Sequence, residues 1–161
     1  AIVAAIVLIG DQLSKHWAET WLRTNGEYKI WDGVLHLRYV ENRGAAFGMM
    51  QGGKWFFLAI TGIACAAMLY FLIKERKRLH FMMTFSLALL LSGAIGNLID
   101  RVALGYVRDM IYVALIDFAV FNVADMAVTV GCCLLVLDLL FFKGKKYMEM
   151  MDKKPQTGEN S

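Results

Sequence analysis

Six polar residues, Asn97, Asp100, Arg101, Asp109, Asn122 and Asp125, crowd a stretch from Gly93 to Thr129 that begins at the end of one apolar run and finishes inside the next. A carboxylate in hydrocarbon costs about 2.5–3.5 kcal/mol on insertion scales, so such a residue usually faces the bundle interior and marks a site. Asp125 lies inside the last apolar run, and Asp109 lies in the connection that leads to it. That connection is long enough to fold back and bring both carboxyls to one spot. Two carboxyls sharing a desolvated spot cannot both ionise easily. One protonated and one ionised carboxyl is the pair needed to activate a water against an amide and to protonate the product amine. Alone, Asp125 equally suits a helix–helix hydrogen bond, and Asp109 a solvated or capping position. Asn97 and Arg101 are one helical turn apart and share a face, with Asp100 close by. Arg101 with an amide such as Asn97 or Asn42 could hold a substrate's polar groups, or a phospholipid head, beside the acids. Asp100 and Arg101 also suit an interfacial pair that anchors a helix end.

Other chemistries lack their parts. His16, His36 and His80 fall in a helix end, a strand and a basic loop without ligand spacing, so no metal is expected. Ser86 and Ser92 have no histidine at their depth to act as base. Cys65, Cys132 and Cys133 sit within apolar runs with no CxxC spacing, which fits neither a disulfide framework nor a zinc site. No Gly-rich phosphate loop is present, and the basic runs read as topology signals rather than nucleic-acid patches. The expectation is an apoprotein with no cofactor and no nucleic-acid partner.

The elements that must position these residues are those of a membrane protein. Apolar residues make up 58% of the chain and charged residues 19%, against about half and a quarter in soluble domains. The mean hydropathy is +0.51. Ala1 to Gly10 is apolar, and helix continuing to about Leu22 gives the roughly 20 residues a span needs. Its first run reads as a membrane helix that stays rather than a cleaved leader. The continuation takes Asp11 and Lys15 into the membrane, where i, i+4 spacing lets them pair. Trp17 and Trp21 suit an interfacial belt.

Residues 23–53 are polar and Gly-punctuated, with Leu35–Val40 alternating as a half-buried strand, so a small β element outside the bilayer is expected there. Trp55–Ile73 reads as the second helix, Phe81–Ile99 as the third and Phe118 to about Phe142 as the fourth. Ser92, Gly93, Ala94 and Gly96 permit close helix packing. Lys74, Arg76, Lys77 and Arg78, and the basic tail from Lys143, should lie in the cytoplasm. Four spans then put both termini inside and the two polar connections, with Asp109, outside. The fold class is thus mainly α, four transmembrane helices over residues 1–142 with an extracytoplasmic β element and a polar cytoplasmic tail at 143–161.

Four blocks carry a resemblance to the lipoprotein signal peptidases (signal peptidase II), a family of bacterial membrane aspartic peptidases. They are DQLSK from Asp11, ENRGAAFG from Glu41, GAIGNLIDRVALGYVRDMI from Gly93 and FNVADMAVTVG from Phe121. They occur in family order and reach across nearly all the chain except the tail, and the third is the most specific. Met110 and Met126 follow the two acids where the family usually has Phe and Ser. The resemblance implies four membrane helices, an outer-face sheet cradle, no metal, and location in the bacterial cytoplasmic membrane; a monomer is expected. It implies cleavage of a prolipoprotein's signal peptide before a diacylglyceryl-modified cysteine, with Asp109 and Asp125 as the catalytic pair near the outer face. Asn42, Asn97, Asp100, Arg101 and Asn122 would position substrate or orient the pair, and Asp11 and Lys15 would hold the bundle together. The runner-up is a small transporter or proton-conducting module with Asp11, Lys15, Asp109 and Asp125 as relay, against which the chain shows no internal repeat and no proline-broken helix. A third reading is a structural subunit with its polar residues as packing glue.

Overall fold

The structure is a computed structural model and describes residues 2–44 and 54–142. Ala45–Gly48 of the ENRGAAFG block, the Gly52-Gly53 pair and the tail from Lys143 lie outside the described residues.

Helix α1 (Ile2–Trp17) runs on without a break through a π-helical turn at Ala18–Leu22 and a last turn, α2 (Arg23–Asn25). Gly26, at φ 83°, ends it by adopting a backbone conformation that a side chain disfavours. A three-stranded antiparallel sheet has the order β1 (Tyr28–Trp31), β2 (Leu35–Asn42), β3 (Val107–Val113). Helices α3 (Lys54–Lys74), α4 (Phe81–Ala103) and α5 (Val123–Phe141) complete the described residues. Among the described residues three helices are long and apolar enough to cross a membrane, namely Trp55–Lys74, Phe81–Ala103 and Val123–Phe141. The chain is a multi-pass membrane protein. Helix α1 is shorter at 16 residues and carries Asp11 and Lys15, both buried, so length and composition alone do not mark it as a span.

The expected second and third helices and the strand at Leu35–Val40 are all present. Two elements differ from expectation. Asp109 sits on a strand, not in a loop. The last helix begins at Val123 rather than Phe118, because Asn122 caps it and Phe121 stays extended, exchanging backbone hydrogen bonds with Ile111.

Helix α4 is the centre of the bundle, with α1, α3 and α5 all packed against it. Close approach of α4 to α5 and to α1 depends on glycine. A methyl at Gly93 would strike the Ala124 carbonyl oxygen, and one at Gly96 would come within 2.6 Å of Asp11 Oδ2. Lower down, Met83 and Leu87 pack with Leu135 and Leu139 of α5. Few apolar side chains are buried, while Ile, Phe and Trp residues crowd the exposed faces of the spans. That inversion suits hydrocarbon as solvent, where packing of small residues rather than hydrophobic burial joins helices.

Gly93→Ala should destabilise the protein by about 1–3 kcal/mol through overpacking against backbone that cannot move aside. Gly62, whose added methyl would meet nothing within 4 Å, provides the control. Thermal unfolding in detergent should show a lowered midpoint for Gly93→Ala and none for Gly62→Ala.

Candidate active site

The first turn of α5 sets the geometry. Asn122 is the N-cap, and its Oδ1 accepts from Asp125 N at 2.9 Å while Asp125 Oδ2 accepts from Asn122 N at 3.2 Å. This reciprocal capping box satisfies donors that a helix start leaves open and fixes the Asp125 carboxylate. Its other oxygen accepts from Asn97 Nδ2 at 2.7 Å. Asn97 lies on α4, so two helices hold one carboxyl.

Asp109 is delivered by the sheet, opposite Val40 in the β2–β3 register. Its carboxyl is 1% exposed and accepts from two carboxamides, Asn122 Nδ2 at 2.6 Å and Asn42 Nδ2 at 3.0 Å. Asn122 is the hinge of the site, since the same Nδ2 lies 3.1 Å from Asn97 Oδ1. Burial pushes the Asp109 carboxyl up to about 7, with the nearby Asp125 charge adding to the rise and the two carboxamide bonds opposing it.

Both aspartates line one cavity of about 600 Å³, together with Asn42, Asn97 and Arg101. Phe118, Phe121, Met126 and Val130 give it an apolar wall. Arg101 reaches the Gly44 carbonyl at 3.4 Å and stands over the Phe57 ring.

Behind the cavity lies an ionic cluster. Lys15 Nζ is fully buried, 2.9 Å from both Asp11 Oδ2 and Asn97 Oδ1 and 3.6 Å from Asp100 Oδ2. Asp11 Oδ1 accepts from Ala124 N at 2.9 Å, one residue before Asp125. Asp11 and Lys15 form an ion pair, and the pair touches Asn97 and the first turn of α5. Asp100 is fully buried against Arg108 and Lys15 rather than lining the cavity, so it does not pair with Arg101. Met110 packs on Ala18 and Leu22, whereas Met126 is half exposed along the cavity. Arg108, Gln12 and Glu19 join the cluster without having been singled out from sequence. Gln12 and Arg108 fall within two of the four family-like blocks, which is the signal the sequence carries for them, and Glu19 has none.

No group of three or more His, Cys, Asp or Glu side chains suited to hold a metal ion occurs among the described residues.

The family model described as signal peptidase (SPase) II matches residues 3–141. The chain belongs to the signal peptidase II family. The lipoprotein signal peptidase of Streptococcus thermophilus is 47% identical over 85% of this chain and 90% of its own length. That of Clostridioides difficile is 43% identical over 89% of this chain and 97% of its own. A bacterial membrane enzyme solved by the in meso method superposes with a TM-score of 0.79 at 31% identity, covering 99% of this chain and 93% of that one. As a signal peptidase II relative the chain is a peptidase of a bacterial membrane, and the matches give no support to a transporter or proton-conducting module.

The rate of peptide cleavage should fall on the alkaline side as pH rises through about 7, where Asp109 loses its proton and the pair carries two charges. The Asn42 bond favours ionised Asp109. Its removal in Asn42→Ala should therefore hold the proton to higher pH and move that alkaline limb upward in a pH–rate profile.

Proposed function

We propose that this chain is an intramembrane aspartic endopeptidase that removes the signal peptide from diacylglyceryl-modified prolipoproteins, with Asp109 and Asp125 as its catalytic pair. The single observation that carries the reading is the shared cavity. Two carboxyls, each held by two hydrogen bonds, face one space that has room for a peptide. Names of relatives supply the substrate class.

In this mechanism Asp109 keeps the shared proton and Asp125 is ionised. Asp125 takes a proton from a water as its oxygen bonds to the scissile carbonyl carbon. Asp109 gives its proton to the carbonyl oxygen, leaving a tetrahedral diol. Collapse of the diol breaks the C–N bond as a proton returns to the departing amine of the lipidated cysteine. Asn97, Asn122 and Asn42 keep the carboxyls aimed, a contribution of positioning. Arg101 offers a cation for substrate carbonyls or a phospholipid head. The apolar wall formed by Phe118, Phe121, Met126 and Val130 suits acyl chains, so lipidation rather than sequence is the recognised feature.

The same reading takes α1 and its continuation as a fourth span and residues 1–142 as the peptidase unit, acting as a monomer, with residues 143–161 as a cytoplasmic tail. Its support is charge asymmetry. Lys74 ends α3, and Arg76, Lys77 and Arg78 lie between α3 and α4, at the end remote from the sheet, and cations favour the cytoplasmic side. Both termini are then cytoplasmic and the site lies near the outer face.

Asp109→Asn and Asp125→Asn should each insert and fold yet lower cleavage of a synthetic diacylglyceryl-modified precursor by about 10²–10⁴-fold or more. Cleavage by purified Asp125→Asn at close to the wild-type rate would sink the assignment. The unlipidated precursor should be a poor substrate in the same assay.

A further inference from the structure

We propose that Arg108 is a positioning residue for this peptidase, clamping the strand that carries Asp109 and setting the amide that holds Asp125. The inference rests on the aspartic-peptidase reading above and adds a residue which that chemistry does not itself require.

Alternation along β3 sends successive side chains to opposite sides. Asp109 goes to Asn122 and the cavity. Arg108 and Met110 go to the α1 side, where Arg108 meets Gln12 and Glu19 and Met110 meets Ala18 and Leu22. Arg108 is 9% exposed. Its Nε and Nη2 take both oxygens of Asp100 at 3.2 and 2.8 Å, and its own backbone N–H donates to the same carboxylate at 3.0 Å. Nη1 reaches Glu19 at 2.9 Å and Nη2 reaches Gln12 at 3.1 Å. Glu19 belongs to the π-helical turn of the first helix, a local widening of the kind found often at functional sites. One planar guanidinium therefore ties β3 to α4 and to α1, immediately beside Asp109.

The second effect runs through Asp100. Its Oδ2 is shared by Arg108 and Lys15, with Lys15 at the longer distance of 3.6 Å and bonded at 2.9 Å to Asn97 Oδ1. Asn97 in turn donates to Asp125. Without the guanidinium, Asp100 is a buried carboxylate with Lys15 as its remaining cation, and the ammonium is drawn toward it and away from Asn97. Asn97 Oδ1 then keeps the weaker of its two donors, Asn122 Nδ2 at 3.1 Å, and the amide holds Asp125 less firmly. Lysine at 108 cannot reproduce the fork, since its three donors radiate from one nitrogen and cannot span Asp100 and Glu19 together. It can still neutralise Asp100.

The test compares purified wild type, Asp109→Asn, Arg108→Met, Arg108→Lys and Glu19→Gln on a synthetic diacylglyceryl-modified precursor peptide. Arg108→Met should lower kcat by about 100-fold with KM changed by less than about threefold, the signature of misplaced groups rather than lost binding. Arg108→Lys should recover about tenfold of that loss by restoring the charge without the fork. Glu19→Gln, which leaves the Arg108–Asp100 pair intact, should lower kcat by about threefold or more at unchanged KM. Arg108→Met that keeps kcat within about threefold of wild type would overturn the inference, as would a lysine variant no better than the methionine one. Where Arg108→Met yields no folded protein, Glu19→Gln decides, and an unchanged kcat there overturns it. Wild type cleaving while Asp109→Asn is silent keeps the peptidase reading standing when Arg108 fails; wild type inert on the lipidated peptide removes both.

Discussion

The bonds of one carboxamide hold the site together. Asn122 starts α5, accepts from Asp125 N and donates to Asp109. A neutral amide suits this place because it both donates and accepts, so it serves carboxyls in either protonation state without adding a buried charge. A charged residue there would favour one ionisation state of the pair. An apolar one would leave the Asp125 backbone N–H at the helix start and the buried Asp109 carboxyl each short of a partner, at about 1–3 kcal/mol for each unsatisfied group. The cap is thus a requirement of helix formation and of the candidate chemistry at once.

Around that amide the fold brings a strand to the start of a helix. Asp125 lies in the first turn of a membrane helix, and its partner arrives from a sheet that has its own backbone hydrogen bonds. A loop in that buried position would leave backbone groups without partners. Strand β3 avoids this by pairing with β2 on one side, while Phe121 satisfies Ile111 on the other. The cluster of Asp11, Lys15, Asp100 and Arg108 then supports the strand and α5 from behind. Each of its buried charges has an opposite partner within 4 Å, the condition under which burying ions is tolerable.

Much of this was legible in the sequence for stated physical reasons. Length and apolarity gave the second and third helices, spacing of four gave Asp11–Lys15, and one-turn spacing put Asn97 and Arg101 on a common cavity face. Strand β3 escaped because it is covered on both sides. Val107, Arg108, Asp109 and Met110 are all buried, so the alternation that revealed Leu35–Val40 is missing. The start of α5 is hidden in the sequence because Phe118–Phe121 is as apolar as the helix after it, and only the cap at Asn122 marks the boundary. Asp100 reads as a partner of the adjacent Arg101, but neighbours on a helix diverge, and its partner is eight residues on. That the two aspartates lie at one cavity was implied by family resemblance, not by spacing.

Asn122→Ser separates the two duties of the central amide most directly. Serine is also a good N-cap, so α5 keeps its start, but its short hydroxyl replaces the Nδ2 donor that reaches Asp109. Cleavage of a lipidated precursor by this variant, measured beside its thermal midpoint, bears on the central claim. A near-native midpoint with cleavage reduced by about 10²-fold or more is the predicted result. Near wild-type cleavage by a folded Asn122→Ser protein would contradict the account.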